Sequence, residues 1–355
     1  MKRYESCIYI CYTMYQMLMA YTINKQLKSS KAYLILGADN LKKYEKNEIL
    51  NSCFDKIKWI DVSDCEKLKK KYFFTPHKAI SRVLGDIWDY SDVFYYNNQG
   101  ILEFLYKHSQ RKNMDVMFHI FEEGMLLYQG DILLEKEIMY LGSERYKKFN
   151  RLIWKYSPKN VPSDMWFCNP RIAEKNTKLP CHEINIDLTK DSKDELNKIW
   201  SFEKKEDFEI KEKYIFLGDV FDIYQDFDEY QCLINRVAEK VGYNNFIYKP
   251  HPRAPINLVD NRIKTYDIPI PWELYLMNYD VADKILIFTM TNAGFMPICS
   301  WKMQVSAICI YDMFKKRLIS FDYFEEIEKL FDIYKKNFER LLFVKDEEEL
   351  MNKII

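Results

Sequence analysis

With 355 residues, 48% of them hydrophobic and 30% charged, the chain has enough material for two ordinary domains, each with a core and a solvated exterior. Lys plus Arg and Asp plus Glu both number 53, and this balance removes any global electrostatic argument for binding nucleic acid or an anionic membrane. Only 9 glycines occur and none builds a glycine-rich dinucleotide fingerprint, which counts against a nicotinamide-dependent dehydrogenase.

From the N-terminus, short apolar runs alternate with longer helical patterns. The opening stretch to Tyr21 is interrupted by Glu5, Gln16 and several tyrosines, and no small-residue cleavage site follows. It therefore reads as a strand and a helix rather than a signal peptide. CIYIC (7–11), AYLILG (32–37), IKWIDV (57–62), DVFYYN (92–97) and DVMFHIF (115–121) predict strands. The segments 15–27, 79–90 and 101–109 predict helices between them. Strands alternating with helices predict a parallel, doubly wound sheet. The basic run EKLKKKYFF (66–74) reads as a solvated helix face.

A charge-dense stretch at 187–213 separates this region from a second one with the same grammar. There YIFLG (214–218), NFIYK (245–249), KILIF (284–288) and QVSAICI (304–310) predict strands, and 228–242 predicts a helix closed by Gly242. The C-terminal 35 or so residues read as amphipathic helices. The expected organisation is residues 1–186 as a first domain, 187–212 as a linker and 213–355 as a second domain. This is an α/β architecture of two doubly wound domains facing a central cleft, with the C-terminal helices packing back on the first. Ligands should meet the carboxyl ends of the strands. Nine cysteines without a CxxC or zinc-finger spacing predict reduced, buried thiols, with Cys7, Cys299 and Cys309 in apolar surroundings. No run reaches the roughly 18 apolar residues of a membrane span. The expected location is cytoplasmic, peripheral to the inner face of a membrane.

Two strand ends carry candidate chemistry. In FHIFEEG, Glu122 and Glu123 point to opposite sides of a strand end, so one can face a ligand while the other supports the loop. A carboxylate against an apolar wall can serve as general base, and Gly124 would allow a sharp turn. In FIYKPHPR, Pro250 and Pro252 bracket His251 and restrict its backbone, while Lys249 and Arg253 flank it with positive charge. That arrangement suits a proton or hydrogen bond given to a phosphate leaving group. His119 lies inside a strand and reads as a satisfied sheet histidine. In PIPWELYLMN, Glu273 occupies a first helical turn, where it favours the helix dipole or accepts from a ribose diol. In IFTMTNAGF, Thr289, Thr291 and Asn292 lead a strand into a helix, a site for ordinary capping or for an anion. The DFD tripeptide at 226–228 matches a minimal metal-binding pattern but reads as helix-start acids. No metal or other cofactor is expected.

The order of these signals carries a resemblance. CYTMYQMLMA (11–20) resembles the opening motif of glycosyltransferase family 52, which includes bacterial lipooligosaccharide and capsule sialyltransferases. The series acidic-acidic-Gly, Lys-x-His-Pro and a hydroxyl-bearing strand end is similar to bacterial sialyltransferases and polysialyltransferases more broadly. The resemblance implies a GT-B fold and an inverting, metal-independent transfer from CMP-sialic acid to a glycan or glycolipid acceptor. It implies Glu123 as base, with Glu122 as second choice, and His251 as acid. It implies Lys249, Pro252, Arg253, Gly218, Glu273, Thr289, Thr291 and Asn292 around the nucleotide, and Tyr12, Thr13 and Gln16 toward the acceptor. A homodimer is part of the same expectation. Met14 replaces the family's proline, and Asp219 and Asp222 stand where a nucleotide-contacting Thr or Ser is expected. Transfer from another nucleotide donor, glycerophosphate transfer and noncatalytic glycan or nucleotide binding are the competing readings.

Overall fold

The computed structural model describes residues 4–72, 75–85, 90–96, 101–112, 114–131, 162–219, 227–251, 259–266, 270–316, 318 and 324–354. Internal contacts divide the chain into two compact units, Met1–Ser201 and Phe202–Ile355.

In the first unit the described strands are β1 (Ser6–Cys11), β2 (Lys31–Leu36), β3 (Lys56–Trp59), β4 (Asp92–Tyr95), β5 (Met117–Phe121), β6 (Asp164–Phe167) and β7 (Cys181–Glu183). They form one parallel sheet in the order β3-β2-β1-β4-β5-β6-β7. Its longer helices are α1 (Met14–Leu27), α2 (Glu48–Cys53), α3 (Val62–Lys71), α4 (Pro76–Leu84), α5 (Leu102–Arg111) and α6 (Lys190–Ile199). β1 is buried at every position, because a central parallel strand is covered on both faces and must be apolar throughout. At the sheet edge β3 alternates toward partial exposure. Residues 187–212 contain α6, which belongs to this unit: Glu195 is bonded by Tyr21 and Lys25 of α1, and the Asn47 amide donates to the Ile199 carbonyl at 3.0 Å.

In the second unit the strands are β8 (Tyr214–Leu217), β9 (Phe246–Lys249), β10 (Lys264–Thr265), β11 (Ile285–Phe288), β12 (Ser306–Cys309) and β13 (Leu341–Phe343). They too are all parallel, ordered β10-β9-β8-β11-β12-β13. The longer helices are α7 (Phe227–Val241), α8 (Trp272–Asn278), α9 (Asn292–Cys299), α10 (Phe324–Asn337) and α11 (Glu347–Lys353). The C-terminal segment is not helical throughout, since LLF at 341–343 adds the strand β13 to the sheet edge. α11 is tied to its own unit by a bidentate pair from Arg236 of α7 to Glu347, at 2.6 and 2.8 Å.

Each sheet reverses its strand order once, between β1 and β4 and between β8 and β11. Such switch points open a crevice at the carboxyl ends of the strands, where doubly wound folds bind ligands. None of the nine cysteines forms a disulfide, and Cys7, Cys299 and Cys309 are buried. Burial pushes the Cys7 thiol up to about 12, so it is an inert filler. Among the described residues no helix is long and apolar enough to cross a membrane.

Candidate active site

At the carboxyl end of β5, Glu122 is fully buried. Its carboxylate accepts from the Tyr15 hydroxyl of α1 at 2.8 Å, the Tyr128 hydroxyl at 2.5 Å and the Cys168 N–H just beyond β6 at 2.8 Å. Three donors offset the desolvation of the charge and tie three segments together. Burial first, and the adjacent Glu122 carboxylate second, push the Tyr15 phenol well above its ordinary range, so it stays a donor. Glu123, on the other side of the strand end, is half-buried. Gly124 has φ 179° and ψ −178°, an extended backbone open to any residue, so the chain bends there without needing the freedom of a glycine.

The first turn of α1 brings the three expected acceptor residues together, in unequal roles. The Thr13 hydroxyl caps the helix by accepting from the Gln16 N–H at 3.1 Å, and the Gln16 side-chain carbonyl accepts from the Tyr12 N–H at 2.6 Å. Gln16 is 1% exposed and serves the helix start. Tyr12 and Thr13 are half-buried at the switch point of the first sheet. The Tyr12 ring lies where a Cβ on Gly37 would be, 2.2 Å from it, so the missing side chain at the end of β2 seats the tyrosine. Nearby, a cavity of about 360 Å³ opens at the end of β3, lined by Trp59, Asp61, Asp64, Lys67 and Arg82 among others.

His119, the middle residue of β5, is satisfied inside the sheet by the aspartates that open β4 and β6. Its ring nitrogens meet Asp164 at 2.6 Å and Asp92 at 2.8 Å, and His182 meets the other Asp164 oxygen at 3.2 Å.

In the second unit β9 ends in Lys249-Pro250-His251, with His251 half-buried. Pro252 and Arg253 lie outside the described residues, as do Asp222 and Asp226. Lys249 and Glu273 face each other as counter-charges. Burial lowers the Lys249 pKa against the opposing pull of Glu273, and burial raises that of Glu273 against the pull of Lys249. The Lys249 ammonium also sits 5.8 Å from the centre of the Trp272 ring. Gly218 leaves room for a neighbour, since a Cβ there would lie 2.6 Å from the Tyr248 hydroxyl. Asp219, just after β8, is buried and accepts from the Met290 N–H at 3.2 Å, joining the ends of β8 and β11 across the switch point. Thr289 is fully buried. Thr291 is the N-cap of α9 without a side-chain capping bond, and both it and Asn292 are half-buried at the strand end.

Tyr15, Tyr128 and Trp272 are the residues that sequence reasoning missed. One of them left a trace: Pro297 lies inside α9 and lacks the N–H that would serve the Ala293 carbonyl. The Trp272 indole N–H donates to that carbonyl at 3.0 Å. Among the described residues no group of three or more His, Cys, Asp or Glu is arranged to hold a metal ion.

A family model described as "Alpha-2,8-polysialyltransferase (POLYST)" matches residues 7–283. Among solved structures, the UDP-GlcNAc 2-epimerase of Methanocaldococcus jannaschii in complex with UDP-GlcNAc and UDP aligns with 98% of this chain and 91% of its own, at 12% identity and a TM-score of 0.52. Spinosyn forosaminyltransferase SpnP aligns with 99% of this chain and 88% of its own, at 7% identity and a TM-score of 0.50. At such identities the likeness is one of fold, the GT-B fold of two Rossmann-like domains. No curated protein matches the sequence significantly.

Proposed function

The chain belongs to the alpha-2,8-polysialyltransferase family, and on that premise we propose that it is an inverting, metal-independent sialyltransferase. It would move sialic acid from CMP-sialic acid to a terminal sugar of a cell-surface glycan of the lipooligosaccharide or capsule type. That it is a glycosyltransferase follows from the family itself. The observation that carries the finer reading is the span of the match. Residues 7–283 take in Glu122-Glu123-Gly124, Lys249-Pro250-His251 and Glu273 together.

In this reaction Glu123 takes the proton of the acceptor hydroxyl, whose oxygen attacks the anomeric carbon from the face opposite the nucleotide. The bond to the phosphate oxygen breaks, the configuration inverts, and His251 donates to the departing CMP. Lys249 and Arg253 stabilise the phosphate charge, the task a metal performs elsewhere. Thr291 and Asn292 serve the phosphate end of the donor and Glu273 the ribose, while Tyr12 and Thr13 meet the acceptor. The buried Glu122, saturated by Tyr15, Tyr128 and Cys168, supports the strand end, which leaves the half-buried Glu123 as the base.

Transfer and donor-hydrolysis assays with CMP-sialic acid test the assignment. Glu123→Ala and His251→Ala should each lower kcat by about 10²- to 10⁴-fold, the usual worth of positioned acid–base groups. Full activity in both variants would sink the mechanism. Binding of another nucleotide in place of CMP would overturn the donor and leave the enzyme class standing. Activity should persist in EDTA.

A further inference from the structure

The second unit contains a hydrogen bond between two helix starts that neither helix needs for itself. Within α9, Pro297 has no N–H, so the Ala293 carbonyl lacks its usual donor four residues on. A helix can leave such a carbonyl to water or bend around it. Here the indole N–H of Trp272, the first residue of α8, fills it at 3.0 Å.

Trp272 is 4% exposed and fixed on several sides. Its ring stacks on Tyr275 at 5.3 Å and meets the edge of Tyr266 at 6.0 Å, and the Lys249 ammonium lies 5.8 Å from its centre. It therefore touches three of the segments that bring expected nucleotide residues to the carboxyl edge of this sheet. These are the end of β9 with Lys249, the start of α8 with Glu273, and the start of α9 with Thr291 and Asn292.

We propose that Trp272 is a positioning residue for the nucleotide: its bond to the carbonyl freed by Pro297 fixes the start of α8 against the start of α9 and so sets Glu273 and Lys249 relative to Thr291 and Asn292. The inference rests on the reading that these residues hold the donor nucleotide. Pro297 is part of the device, because a residue with an N–H at 297 would satisfy Ala293 within its own helix and make the tie to α8 dispensable.

The proline provides a test that separates positioning from simple stability. In Trp272→Phe the stacking survives and the donor is lost. In Trp272→Phe combined with Pro297→Ala, the new backbone N–H satisfies the Ala293 carbonyl, but α8 stays untied. Three quantities are measured on the full chain: Tm, CMP affinity by calorimetry, and hydrogen exchange of the amides in the first turns of α8 and α9. The single variant should lose Tm and bind CMP about tenfold more weakly, the scale of one lost hydrogen bond to a buried group. The double variant should regain Tm while CMP binding stays weak and exchange at the two helix starts stays fast. Recovery of all three quantities together, or a single variant with wild-type exchange, would overturn the proposal. If the wild-type protein binds no CMP, the donor reading fails by itself, and the exchange measurement still decides whether Trp272 ties the helices.

Discussion

His119 has a carboxylate oxygen against each ring nitrogen, an arrangement that favours the doubly protonated ring. Burial alone would depress its pKa, but Asp164 and Asp92 outweigh burial and raise it. For Asp164 burial alone would raise the pKa, yet His119 and His182 hold it well below the usual carboxylate range. The stabilisation from His119 is therefore complete below its unfolded pKa of about 6.5 and lost as pH rises through the higher folded value. That from Asp164 is present above its unfolded pKa of about 3.9 and lost as pH falls through the lower folded value. His119→Phe removes the group that two buried carboxylates share, leaves Asp164 with His182 alone, and should cost about 3–5 kcal/mol. Denaturation across pH should show the wild type losing this advantage over the variant as pH rises past the unfolded value. At the carboxyl end of β5 the two glutamates should separate cleanly. Glu122→Gln turns an N–H toward groups that are themselves donors and should cost about 1–3 kcal/mol in stability. Glu123→Gln should keep its Tm and lose transfer, so Tm and kcat measured on the same samples check both.

Elements are positioned here by small local devices. The cap of α1 sets where β1 ends and where Tyr12 emerges, and Thr13→Ala should cost about 1 kcal/mol. Because Tyr15 of the same turn bonds Glu122, this variant should also weaken acceptor binding, seen as a raised acceptor KM with unchanged CMP affinity. In the second unit Gly218→Ala would drive a methyl into Tyr248 and should cost about 1–3 kcal/mol by overpacking. That variant should lower CMP affinity, since the Gly218-Asp219 segment carries the bond to Met290 at the switch point. Most strands of four or more residues were legible because a buried parallel strand is a short unbroken apolar run, as in β1, β2 and β11. β7, β10 and β13 are two or three residues long and sit toward sheet edges, where pairing rather than composition makes the strand. β6, DMWF, also escaped, and the aspartate that opens it is answered across the chain by His119 and His182.

At the scale of the molecule, each unit has its own parallel sheet and its own aromatic core. A core substitution should then report on one unit. In hydrogen exchange, His119→Phe should deprotect β4, β5 and β6 and leave β8, β9 and β11 as in the wild type. Loss of protection in all six strands would contradict this. By itself the sequence determined the α/β class and the repeat of the doubly wound grammar, and it singled out the strand ends proposed to carry the chemistry, because apolar runs, prolines and strand-end carboxylates are local facts. Only the tertiary structure decided which glutamate is saturated and which is half-buried, that Gln16 serves a helix start, that Lys249 and Glu273 oppose each other, and what answers the carbonyl left by Pro297. The physical reason is that alternation along a strand places neighbours on opposite faces without saying which face is covered. A buried polar atom finds its partner across the chain rather than along it, as Ala293 finds Trp272 and Glu122 finds Tyr15.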